Sequence, residues 1–167
     1  NGSNIFEIRQ DQGDSGINLM IDYLAVSQEA TFDEGLNIAA EAIAKTSSGN
    51  GANAINGCAF DESSEWSGSG VNGEWIQLDW GDKPRNICKI RLYDKVHARD
   101  QVLSGTLTFS DGSTILIGRL QNDGQYGSFV TFPSKKITWV KFTIDKVRSG
   151  TVSSGLGEFE VYAESEK

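Results

Sequence analysis

The stretch Trp75-Ile76-Gln77-Leu78-Asp79-Trp80-Gly81-Asp82-Lys83-Pro84-Arg85-Asn86-Ile87-Cys88-Lys89-Ile90-Arg91-Leu92-Tyr93-Asp94 decides how the rest of the chain is read. Ile76, Leu78 and Trp80 recur at every second position with Gln77 and Asp79 between them, the period of a strand with one buried face. Gly81 to Pro84 breaks the run. Pro84 has no N–H to give a ladder and Gly81 relaxes the backbone, so these four residues read as a turn. Ile90 and Leu92 resume the alternation. The segment is expected to form two strands and a turn.

The same pattern spreads outward. Short apolar runs at residues 74–80, 87–93, 102–109, 114–118, 128–132, 137–144 and 157–162 are separated by polar, glycine-rich turns, which signals an antiparallel sandwich or barrel. Ser110-Asp111-Gly112-Ser113 stands between Leu107/Phe109 and Ile115/Ile117, with Asp-Gly supplying the backbone of a tight hairpin. Nineteen glycines fit many turns between short strands. Helix signals are few. Ala39, Ala40, Ala42 and Ala44 favour a helix over residues 38–45, but the run is too short to stand alone, and an irregular or strand-like segment is the alternative.

A chain of 167 residues is long enough for one core without metals or many disulfides. The first thirty residues read differently from the rest. Ile5 to Ile8 and Ile17 to Val26 flank the polar turn 11–16 as a hairpin, followed by a linker to residue 35. This piece is either the tail of a preceding domain or a pair of edge strands, and the chain reads as part of a longer protein. Residues 36–163 make the sandwich and 164–167 a tail.

The formal net charge is −8, and no basic cluster exceeds Lys135-Lys136. Such a field repels phosphate, which argues against nucleic acid or an anionic membrane as partner. No apolar run approaches the roughly 20 residues of a membrane span. Cys58 and Cys88 stand apart without a second Cys or His nearby, so a zinc site is not expected; a disulfide and two buried free thiols both remain open. No nucleophile motif is present, the sole histidine is His97, and Asp61, Glu62 and Glu65 crowd one loop without a glycosidase partner. The chain is not expected to be an enzyme.

Four groups of residues carry a family resemblance. They are Asn37-Ile38-Ala39 with Thr46-Ser47-Ser48 and Ala54-Ile55-Asn56-Gly57; Glu65-Trp66-Ser67 with the Trp75–Trp80 block; Leu92-Tyr93-Asp94-Lys95 with Asp100-Gln101-Val102 and Gly105 to Ser113; and Gly155-Leu156-Gly157-Glu158-Phe159-Glu160-Val161-Tyr162. In this order, spanning 37–163, the chain resembles the discoidin (factor V/VIII type C, family 32-like) carbohydrate-binding domains of secreted carbohydrate-active enzymes. The resemblance implies an all-β, galactose-binding-like jelly roll of about eight strands whose ligand site is built from loops at one end. It also implies a structural calcium, for which Asn56, Ser64 and Glu158 are the matching residues and Asp61 a substitute ligand. Asn56 departs from the family's usual Asp, and losing that charge lowers calcium affinity.

Sugar recognition needs an aromatic face against a pyranose, with hydrogen-bonding groups at its rim, on preformed loops. Tyr126, beside Asn122 and Asp123 in a glycine-rich loop, fits best, and His97, Arg99 and Asp100 supply a second polar set. His97 reads equally as a solvated loop residue. Trp66, Trp75 and Trp80 are expected in the core, the resemblance making the 75–94 segment the central hairpin-like spine of the jelly roll, and Trp139 is expected to cap an outer face. The expectation is a monomeric, noncatalytic module that carries a linked, secreted enzyme to a polysaccharide. The rivals are an adhesion domain for protein or lipid headgroups and a structural spacer.

Overall fold

A computed structural model of the protein describes residues 35–122 and 126–164. The hairpin expected in the first thirty residues, and Asp123, lie outside them. Among the described residues the fold is all-β, and every strand pairing is antiparallel. The strands are β1 (Ile43–Thr46), β2 (Trp66–Ser67), β3 (Trp75–Asp79), β4 (Arg85–Tyr93), β5 (Val102–Phe109), β6 (Thr114–Ile117), β7 (Ser128–Ile137), β8 (Trp139–Val147), β9 (Gly155–Leu156) and β10 (Glu158–Ala163). A five-stranded sheet has the order β1-β3-β8-β5-β6, a three-stranded sheet the order β10-β4-β7, and the short β2 and β9 pair with each other. The two larger sheets thus hold the expected eight strands.

The core follows from strand alternation. Ile76 and Leu78 of β3, Leu107 and Phe109 of β5, and Val140, Phe142 and Ile144 of β8 point inward from the larger sheet; Ile90 and Leu92 of β4 and Phe159 and Val161 of β10 meet them from the smaller one. Side chains of this size, fully buried, each contribute roughly 1.5–3 kcal/mol. Trp66 is fully buried with its indole N–H on Ser48 O at 2.8 Å, and Trp80 is buried with its own on Ile38 O at 3.2 Å.

Two expectations are corrected. Trp75 is not in the core: it alternates with the inward Ile76, so it is half-buried on the outer face, with the Lys141 ammonium 5.8 Å from its ring. The opening segment is not a hairpin, because β3 lies in one sheet and β4 in the other. The turn at Gly81 (φ 62°) carries the chain between layers, fixed by its N–H on Asp79 Oδ1. Of the two readings of residues 38–45, the irregular or strand-like one holds: a single 3-10 turn, Ala39–Glu41, precedes β1, since Asn37 Oδ1 accepts the Ala39 N–H but too few residues follow to propagate a helix.

The strand read at 128–132 runs on to Ile137. Partners jump from Lys89↔Thr131 to Ile87↔Lys135, so Pro133 sits in a bulge on an edge strand, where its missing N–H costs no ladder bond. The β5–β6 turn falls where expected, but Gly112 alone, at φ 84°, takes the positive φ, and Asp111 instead fixes the turn through Oδ1, which accepts from the Ser113 N–H and Oγ–H. Cys58 and Cys88 are free, half-buried thiols. No described helix is long and apolar enough to cross a membrane.

Candidate functional site

Antiparallel register brings the start of β3, the end of β4, the starts of β5, β7 and β10 and the end of β8 to one end of the sandwich. The loops holding most of the sequence-selected residues therefore converge. At their base is a buried ion cluster. Lys95, 5% exposed, places Nζ 3.2 Å from Asp100 Oδ2 and 3.5 Å from Glu65 Oε1, and also donates to Ser153 O at 3.3 Å. Glu65 Oε2 accepts the Val96 N–H, and Asp100 Oδ1 accepts the Val152 N–H. Burial raises the Glu65 pKa. At Asp100 burial pushes the same way, but the Val152 N–H and the Lys95 ammonium outweigh it and hold the carboxyl below its usual range. Asp94 accepts from the Lys95 and Val102 N–H groups, and burial pushes its pKa up to about 7.

Asp100 is thus consumed by the scaffold, bound to Val152 and Lys95. His97 instead meets the neighbouring arginine, with the Arg99 N–H 3.3 Å from its Nδ1 and Arg99 Nη2 3.5 Å from its Nε2. Arg99 is exposed and His97 half-exposed. Asn122 answers whether the two loops meet: its Nδ2 donates to both Lys95 O and Asp100 O at 3.0 Å, tying the 94–101 loop to the stretch before Tyr126.

Beside these loops, on the outer face of the three-stranded sheet, lies an open groove of about 370 Å³ lined by Arg91, Tyr93, Gln121, Tyr126, Gly127 and Phe129. Tyr126 is 64% and Phe129 66% exposed. Arg91 and Tyr93 alternate with the inward Ile90 and Leu92, so both point outward, and Arg91 stands opposite Phe129 in the ladder. Arg91 Nη1 lies 3.5 Å from the Tyr93 hydroxyl and 3.8 Å from Glu160 Oε2. Gly127 forms the floor: a Cβ there would sit 2.5 Å from Arg91 Cγ and 2.9 Å from Tyr93 Cε2.

Of the residues selected from sequence for ligand contact, Tyr126 lines this groove, Asn122 braces its rim, and His97 and Arg99 lie on the adjoining loop. Arg91, Tyr93, Gln121 and Phe129 were not selected. The signal for three of them was present, since polar and aromatic residues on the non-core phase of a strand are displayed on its outer face.

Of the calcium residues, Glu158 reaches the backbone of the 56–64 loop. It is 2% exposed, its Oε1 accepts the Gly57 N–H at 3.1 Å, and its Oε2 is buried with no hydrogen-bond partner; burial raises its pKa. Asn56 spans the same loop, with Nδ2 on Ser64 O at 2.9 Å and Oδ1 accepting the Cys58 N–H at 2.8 Å. Ser64 Oγ lies 3.5 Å from Cys58 O. Asp61 is exposed and turned onto its own loop, where the Ser63 hydroxyl and N–H hold its carboxyl below the usual range. The orphaned Oε2 is a hard oxygen donor of the kind calcium takes, while Asn56 Oδ1 and Ser64 O already accept hydrogen bonds within the loop. The site is poor in charge, and among the described residues no three His, Cys, Asp or Glu side chains converge.

The family model described as Domain of unknown function (DUF7402) matches residues 37–162. The chain belongs to the DUF7402 family. No curated protein sequence matches this DUF7402 chain. Among solved structures, the lectin domain of lectinolysin complexed with Lewis B antigen is similar at 22% identity and TM-score 0.59, covering 78% of this chain and 98% of that one. Chitosan-binding module 2 of a Paenibacillus sp. IK-5 chitosanase/glucanase, in complex with chitotriose, is similar at 21% and 0.58, covering 76% and 100%. The family 32 carbohydrate-binding module of Clostridium perfringens NanJ, in complex with galactose, is similar at 18% and 0.57, covering 74% and 94%. The DUF7402 domain thus has the galactose-binding-like sandwich of the family 32 modules; at these identities the likeness is one of fold.

Proposed function

We propose that this DUF7402 domain is a noncatalytic carbohydrate-binding module that holds a covalently linked, secreted enzyme on a cell-wall or extracellular polysaccharide. The observation that carries this reading is the groove in which Tyr93, Tyr126 and Phe129 surround the polar groups of Arg91 and Gln121. Aromatic faces accept the C–H side of a pyranose while guanidinium and amide groups bind its hydroxyls. The glycan complexes of lectinolysin, the chitosan-binding module and NanJ support the reading. The module acts as a monomer, and weak binding at one groove suffices when the linked enzyme supplies further contacts. A glycan array and pull-downs on insoluble polysaccharides test it, beside anionic liposomes and immobilised extracellular proteins. Retention by a glycan supports the reading; retention only by liposome or protein contradicts it.

We also propose a structural calcium ion at Glu158, held with Asn56 and the carbonyls of the 56–64 loop. Its function would be to neutralise the buried carboxylate and fix the loop that carries Phe60. Millimolar calcium is expected to raise the melting temperature by several degrees, and Glu158→Gln to remove most of that rise. Protons compete for the same oxygen. Because burial raises the Glu158 pKa, the calcium-dependent gain should fade as pH falls through a point above the ordinary glutamate range. An identical melting curve in calcium and chelator at pH 7 would dismiss the ion.

A further inference from the structure

The aromatic surface does not stop at the groove. Phe60, 56% exposed on the loop before β2, stacks edge-on against Tyr93 with ring centroids 5.9 Å apart. Its loop lies over the start of β10, where a Cβ at Gly157 would come within 2.7 Å of Ala59 O. The rings therefore follow one another across the sheet: Phe60 on the β10 side, Tyr93 on β4, and Tyr126 and Phe129 at the β7 edge. Strands stand about 4.8 Å apart, so this row is longer than one sugar ring. Gly127 keeps its middle clear, since any side chain there would collide with Arg91 and Tyr93.

Taking the glycan-binding reading as its basis, we infer that the groove binds an internal run of a linear polysaccharide, several pyranose units laid across β10, β4 and β7, rather than a single terminal sugar. A pocket for a chain end encloses one ring and needs a wall beyond it. A row in which exposed Phe60, Tyr126 and Phe129 flank the half-buried Tyr93, with Phe60 set edge-on to it, instead offers successive contacts, and the inner ring, Tyr93, is the one that a monosaccharide shares with a polymer.

The test is calorimetric titration of the full chain with β-1,4-linked glucose, N-acetylglucosamine and galactose oligomers of one to six units. Affinity for the series bound is expected to rise about tenfold or more from the monomer to the tetramer and then level off. Phe60→Ala, at an exposed position beyond the lining of the groove, should weaken the tetramer about three- to tenfold and leave the monomer unchanged, the magnitude of one lost aromatic contact. A monosaccharide bound as tightly as the hexamer, or Phe60→Ala weakening every length equally, overturns the extended groove while glycan binding itself stands. Failure of every oligomer and polysaccharide to bind overturns the glycan-binding reading and this inference with it.

Discussion

Replacing Lys95 by alanine is expected to cost the domain about 3–5 kcal/mol, a large part of the stability a fold of this size has to spare. The side chain is 6% exposed, and its ammonium faces two carboxylates that are themselves buried, Glu65 at 3.5 Å and Asp100 at 3.2 Å. Removing it strands both. Those carboxylates in turn hold the Val96 and Val152 N–H groups, so the loss spreads to the 94–101 and 148–154 loops. The pH dependence separates stranded charge from lost packing. Lys95 favours the ionised form of each partner, so its contribution is present at neutral pH and disappears as the carboxylates protonate. Denaturant titrations should show the deficit of Lys95→Ala largest near pH 7, shrinking first as pH falls toward the raised Glu65 pKa, above the ordinary glutamate range, and losing the rest only as Asp100 protonates at lower pH. A deficit independent of pH would mean that the methylene stem, and not the charge, is what the cluster uses.

Replacing Tyr126 by alanine is expected to weaken glycan binding tenfold or more, about 1.4 kcal/mol or above, with little change in melting temperature. The ring is 64% exposed and walls the groove opposite Arg91 and Tyr93, so it contributes little to the core and much to any sugar lying there. Aromatic anchors of this kind carry a disproportionate share of binding energy. Tyr126→Phe should retain most of the affinity if the face of the ring is what the sugar meets. Arg99→Ala, on the adjoining loop, is the contrast: its guanidinium meets His97 and it does not line the groove, so its effect should be smaller. Equal losses at Arg99 and Tyr126 would move the site from the sheet face onto the loops.

The fold was legible because alternation is a local property. Ile76-x-Leu78-x-Trp80 and Ile90-x-Leu92 declare one buried face whichever sheet they join, and Asp111-Gly112 declares a turn between neighbours in sequence. Which sheet each strand joins is not local. The Gly81–Pro84 turn looks the same whether it closes a hairpin or crosses between layers, and only the pairing of β3 with β1 and β8, and of β4 with β10 and β7, distinguishes them.

The candidate site was legible in part for the same reason. Tyr126 stood out as an aromatic residue among glycines and amides. Asp100 looked equally suited to a sugar hydroxyl, and nothing near it in sequence shows that Val152 and Lys95 use its oxygens. Phe60 and Tyr93 are 33 positions apart in the chain, and their stacking is a product of the fold. Phe129 sat in a recognised strand, where attention falls on the inward residues; the outward phase of β4 and β7 is where the groove was to be found.

The most direct measurement of the central claim is a backbone and side-chain NMR titration of the full chain with a glycan retained on the array. The groove predicts that the largest shifts fall on Arg91, Tyr93, Tyr126, Gly127 and Phe129, with the Lys95–Asp100–Glu65 cluster little changed. Shifts confined to residues remote from that face, such as the Glu41–Arg85 surface at the opposite end of β4, would contradict it.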